Sequence, residues 1–271
     1  MTDPSPEIFE SRTSWLLIFA HPGHELRAHH LLERTRPMVS VLTDGAGSSG
    51  SSRAHRTTDL LARTGARPAP VFCPLSDRNA YTALMARDPE PFIELCDRIA
   101  RLLLDAPDTT VVVDAAEGYN PVHDVCHWVG RAATARARAA GAYIDVYELD
   151  LVGHPNGQGD GIRLTLDDRA LARKLAAVDC YALLANEAAA AFDRYGRDAF
   201  RTEFLRHVDD ELMPVRQAWV PHYEEVGEAR VRAGTYSSVL RYGDHVKPVV
   251  ETLLDFARSS PYAEDLGTFH Q

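Results

Sequence analysis

Lysine is nearly missing from this chain: Lys174 and Lys247 are the only two among 271 residues, and arginine carries the remaining positive charge. Acids outnumber bases, giving a net charge of -10 and a pI near 5.6. There is no basic surplus of the kind that nucleic-acid binding requires. Cysteine is scarce as well. Cys73, Cys96, Cys126 and Cys180 are far apart, form no CxxC pair and sit among apolar neighbours. That excludes a zinc ribbon or a disulfide framework and fits reduced, buried thiols of a cytoplasmic protein. No apolar run approaches the length of a bilayer span. The opening "MTDPSPEIFESRTS" lacks the basic-then-apolar order of a signal peptide. These absences point to a cytoplasmic protein with a small-molecule partner, without nucleic acid or membrane, and compatible with a homo-oligomer.

What is present is an ordinary globular composition, 45% hydrophobic and 25% charged, in a chain long enough for one large α/β domain. "SWLLIFA" (14–20) is a continuous apolar run, as expected of a strand buried on both faces. "MVSVLT" (38–43), "TTVVVDA" (109–115) and "YIDVYEL" (143–149) repeat the pattern. Helix-like segments alternate with them: "ELRAHHLLERT", "SSRAHRTTDLLARTGA" stopped by Gly65, "PEPFIELCDRIARLLLDA", and "HDVCHWVGRAATARARAAGA" stopped by Gly141. Such alternation predicts a Rossmann-like three-layer α/β sandwich with a mostly parallel sheet. Past residue 150 the pattern loosens into an α+β extension. "GHPNGQGDG" reads as a loop, "LDDRALARKLAAVDCYALLANEAAAAF" as one or two helices from Asp167 or Asp168, and "EARVRAGTYSSVLRY" alternates like a strand. "FRTEFLR" (200–206) and "HYEEVGEARV" (222–231) read as solvated helix faces, and "HVKPVVETLLDFARSS" ends as a helix. A single domain over 14–258 follows, with residues 1–13 and 259–271 as loose tails.

Chemistry concentrates where the first strand ends. "HPGHE" puts His21, His24 and Glu25 on one turn at the carboxyl edge of the sheet, where open α/β sheets bind ligands. Two histidines leave a catalytic zinc one protein ligand short. After the third strand, "AEGYNPVHDVCHW" supplies His123 at a strand-to-helix turn, with Asp124 and His127 beside it.

Taken together, "FAHPGHE", "VLTDGAG", "RTTDLLARTGA" and "YNPVHD" resemble the PIG-L/LmbE-like N-deacetylases, metal hydrolases that remove acyl groups from amino sugars and related amines. The likeness runs over residues 14 to 130, in order and spacing. It implies His21, His24 and His123 as ligands of one Zn2+ or another divalent metal, with His24 in the slot of an aspartate. It also implies Arg56 as the substrate-contacting arginine, Asp59 at the acidic position of the same helix, and Glu25 as the acid closing the first motif. The chain departs from the family pattern at three positions. Gly23 stands where the family keeps the aspartate that deprotonates water, Asn120 where it keeps a helper histidine, and Val122 where it keeps an acid. Glu25, Glu117 and Asp124 are then the substitute bases, with Glu117 favoured because it follows the third strand. Asp44, Asn120 and His154 join Arg56 as substrate-binding candidates, His154 as an oxyanion donor in place of the helper.

The expected activity is metal-dependent hydrolysis of an amide, N-deacetylation of a small amino compound or amino-sugar conjugate. Two alternatives accompany it. One is a metal-binding protein without hydrolytic activity. The other is a nucleotide-binding oxidoreductase, resting on the formal GxGxxG of Gly45, Gly47 and Gly50, though the acidic residue such a fingerprint needs does not follow at the right distance.

Overall fold

The computed structural model describes residues 14–47, 50–209, 212 and 220–259. Its apolar runs are strands covered on both sides. In β1 (Ser14–Phe19), Leu16 and Ile18 join one core while Trp15, Leu17 and Phe19 join another. A strand with two buried faces needs no polar alternation. β2 (Met38–Thr43), β3 (Arg67–Leu75), β4 (Asp108–Asp114) and β5 (Tyr143–Leu149) complete the parallel portion. β6 (Gly161–Thr165) and β7 (Thr202–His207) extend it antiparallel, and the seven strands lie in the order β3-β2-β1-β4-β5-β7-β6.

The helices sort to the two faces. α1 (His29–Thr35) and α2 (Ala54–Thr64) place Leu31, Leu32 and Leu61 on one side. α3 (Asp77–Ala86), α4 (Glu90–Leu104), α5 (Pro121–Ala139) and α9 (Lys247–Arg258) fill the other. α6 (Asp168–Asp179) and α7 (Ala185–Tyr195) form a bent pair, and α8 (His222–Arg232) lies near the chain end. The result is the Rossmann-like α/β sandwich. Among the described residues no single helix is long and apolar enough to cross a membrane; α6 and residues 182–195 pass that test only as a pair bent by 85°.

Strand order positions the site. The chain winds from β1 outward to β2 and β3, then returns to lay β4 on the other side of β1. The carboxyl ends of β1 and β4 therefore flank the switch point, where loops diverge and leave a crevice.

The second half differs from the sequence reading in three places. Residues 200–206 are not a solvated helix face: most of them form β7, whose Glu203 is buried against Lys174 and whose Arg206 pairs with Glu148 and Asp150. Residues 228–242 do not form a strand; α8 runs through to Arg232, and turns follow. β6 starts at Gly161, the last residue of the stretch that read as loop, and runs through Thr165 in a segment given no element. The expected loose tails, 1–13 and nearly all of 259–271, lie outside the described residues.

Candidate functional site

Beyond β1 the chain turns sharply, because Gly23 adopts φ +110° and the Leu26 amide donates back to the Gly23 carbonyl at 3.2 Å. The turn is pinned by Glu25, whose carboxylate accepts from the Gly23 amide at 2.7 Å and from the Thr57 hydroxyl of α2 at 2.7 Å. It presents His21 and His24 toward the first turn of α5, which carries His123. Asn120 caps that helix by accepting from the Val122 amide at 2.8 Å.

The three imidazoles converge. Ring centroids are 5.4 Å apart for His21 and His24, 4.8 Å for His21 and His123, and 4.5 Å for His24 and His123. Rings bound to one tetrahedral zinc, with each nitrogen ~2.0–2.1 Å from the ion, would have centroids about 5 Å apart. Among the described residues no group of three or more His, Cys, Asp and Glu side chains stands in a metal-binding arrangement; the ring separations alone fall in the range a shared ion would need.

Other features of the structure fit a cation here. The His21 Nδ1 lies 2.6 Å from the Thr43 hydroxyl and 3.0 Å from Asp77 Oδ1. The His24 Nδ1 lies 2.7 Å from Asp114 Oδ2. Carboxylate partners assign the proton to Nδ1 in both rings and leave each Nε2 with a lone pair, the arrangement in which carboxylates orient metal-bound histidines. Burial favours the neutral ring and lowers the pKa of His21; it lowers that of His123 further, helped by the neighbouring rings and Arg53. A metal takes the neutral form. Burial would raise Asp77, but hydrogen bonds from His21, Thr43 and the Gly47 amide outweigh it and hold the carboxylate well below its usual range. Asp114 Oδ1 is buried without a hydrogen-bond partner, an oxygen that a nearby positive charge would compensate.

The three carboxylates proposed as bases are used otherwise. Both oxygens of Glu117 accept from the amides of Leu151, Val152 and Gly153, at 2.7 to 3.2 Å, and so close the loop after β5. Glu25 pins the histidine turn. Asp124 accepts from the Gly118 amide through Oδ1, and its buried Oδ2 has no hydrogen-bond partner. At the position of the missing aspartate, a Cβ built on Gly23 would overlap the end of the Leu184 side chain, which would have to move to admit one.

The substrate-binding candidates also separate. Arg56 is exposed on α2, in a surface recess with Asp59, Cys180 and Tyr181. The arginine whose charge reaches His21 and His123 is Arg53, three residues earlier, with its Nε buried and unpartnered. Asp44 folds the glycine loop by accepting from the amides of Ala46 and Asp77, both at 3.0 Å. His154 is exposed beside Tyr195 and lines neither large cavity. Asp77, Asp114 and Arg53 were the residues to look for. Strand-end position was the available signal for Asp114 and for Asp77, which follows β3, and the glycine loop for Arg53.

Two cavities lie on this side of the sheet, and one of them reaches the imidazoles. One of about 340 Å³ has His24 and His123 in its wall and is otherwise lined mainly by apolar side chains of α6, α7 and the loop after β5. The other, about 600 Å³, lies between α3, α8 and the start of α5, with Tyr81, Tyr236, Arg230 and Ser237 among its walls. Tyr119 lines both and stacks on His222.

No protein-family model matches the chain, and no curated protein does. Among solved structures it is similar to a conserved protein of Thermus thermophilus, over 74% of this chain and 97% of that one, with a TM-score of 0.49 and 15% sequence identity.

Proposed function

We propose that this protein is a metal-dependent amide hydrolase of the N-deacetylase type, acting on a small amino compound or amino-sugar conjugate in the cytoplasm. One observation carries the reading: three imidazoles from two strand-end loops lie together at the switch point, two of them backed by buried carboxylates. The resemblance of the four motifs to the PIG-L/LmbE-like N-deacetylases supports it.

His21, His24 and His123 would hold the metal. On three uncharged ligands a divalent ion such as Zn2+ keeps its full charge and activates water near neutral pH as a Lewis acid. Asp77 and Asp114 fix two of the rings and raise their basicity. Arg53 adds a fixed positive charge that favours negative charge developing on the amide oxygen. Asn120 and Glu25 position the elements that carry the ligands. The glycine loop does not support nucleotide binding, since the Gly47 amide donates at 2.7 Å to Asp77 and two carboxylates flank a loop that would have to accept phosphate.

A second reading is favoured by the occupied carboxylates and the filled space at Gly23: a protein of the same scaffold that binds metal without hydrolysing amides. Two measurements decide. The purified protein should carry about one equivalent of divalent metal, lost in His21→Ala, His24→Ala and His123→Ala. The metal-loaded protein should release amine from N-acylated substrates. Metal without amine release would establish the second reading, and absence of metal would overturn both.

A further inference from the structure

The 340 Å³ cavity is oversized for an acetyl group. Its volume corresponds to roughly ten water-sized or methylene-sized groups at about 30 Å³ each. Its walls are apolar: Leu26, Val178 and Leu184 on one side, Ala188 and Phe192 on α7, and Phe200 beyond. Charged groups border it too: Glu187 and Arg194 are exposed on α7, Arg194 lying over the Tyr195 ring, and the two other cations are engaged elsewhere. Arg27 donates to the carbonyls of Asp150 and Gly153, and Lys174 to Glu203 and the Arg27 carbonyl, so what these residues can offer the cavity is their aliphatic stems. α7 contributes no fully buried residue, which leaves the apolar face of this helix to cover the cavity. The cavity also has His24 and His123 in its wall, whereas the tyrosine-rich cavity has none of the three histidines and shares only Tyr119 with it.

From this asymmetry we infer that the acyl half of the substrate is an unbranched aliphatic chain of about six to ten carbons, seated in the apolar cavity, with the amine half directed past Tyr119. The inference rests on the amide-hydrolase reading and narrows it. In the reaction R–CO–NH–R′ takes up water; the C–N bond breaks, the water oxygen bonds to the acyl carbon, and the products are R–COO⁻ and R′–NH₃⁺.

The test is a series of N-acetyl, N-butanoyl, N-hexanoyl and N-octanoyl glucosamine with the zinc-loaded protein, together with calorimetric titration of octanoate and acetate into the metal-stripped protein. Burial of one methylene is worth about a threefold to fourfold gain. kcat/KM should therefore rise at least tenfold from acetyl to octanoyl, and octanoate should bind the metal-stripped protein where acetate does not. Ala188→Leu and Ala191→Trp, which narrow the cavity, should each lower the octanoyl-to-acetyl ratio of kcat/KM at least tenfold. A flat series, or one favouring acetyl, overturns the inference and leaves the hydrolase reading standing. Octanoate binding without cleavage of any member keeps the acyl cavity and removes the hydrolase reading. Failure of octanoate to bind overturns the inference outright.

Discussion

At the scale of single residues, Gly23 and Asp124 each make a definite demand. Gly23 holds a left-handed backbone with Leu184 against its α-carbon, so Gly23→Ala meets both strain and overlap. It should lower stability by about 1–3 kcal/mol, measured by urea denaturation, and Leu184→Ala should recover part of that loss. Equal stability of Gly23→Ala and the parent would mean that the turn is not held as described. Asp124 is buried, and desolvation pushes its pKa up to about 7 from an ordinary 3.8. The native state therefore keeps a proton that the unfolded chain has already released, and stability declines as pH rises between those values. Asp124→Asn keeps the shape and removes the titration. Its advantage in Tm should widen between pH 5 and pH 8, toward a limit of about 4 kcal/mol, each kcal/mol being worth ~2–4 °C. A constant offset would show that the carboxyl ionises normally. The gathering of His21, His24 and His123 was legible in the sequence because each follows the end of a neighbouring strand. The setting of Glu117 was not legible: whether it faces solvent or backbone depends on amides 34 to 36 positions away.

Between elements, one buried ion pair ties three together. Glu203 of β7 accepts from the His30 and Leu31 amides in the first turn of α1 and from Lys174 of α6. Both charged side chains are almost fully buried. Removing the lysine leaves a carboxylate with backbone partners but no counter-charge, so Lys174→Met should cost about 3–5 kcal/mol, seen as a fall in Tm. A loss below about 1 kcal/mol would show that Glu203 is protonated in the fold. The same pair explains why "FRTEFLR" misreads as a solvated helix. Its acid looks exposed in sequence, and the partner that buries it stands 29 residues earlier. The continuous apolar strands gave no such trouble, because two covered faces leave one pattern to read.

Across the whole molecule stability is unevenly distributed. The central sheet is packed between two broad cores, whereas α7 leans on a small cluster of Leu166, Ala170, Leu171 and Phe200. Native-state hydrogen exchange should find α7 amides opening at a free energy well below that of α4, α5 and the parallel strands. Uniform exchange would mean that α7 unfolds only with the rest. Strand order carries a consequence for synthesis as well. His21 and His24 leave the ribosome early, but Asp114, which steadies His24, and His123 follow only after two outer strands have been made. Because β4 must slot in beside β1 before these groups meet, the imidazole cluster cannot assemble on a nascent chain until the start of α5 has been made, and the crevice is among the later features to form.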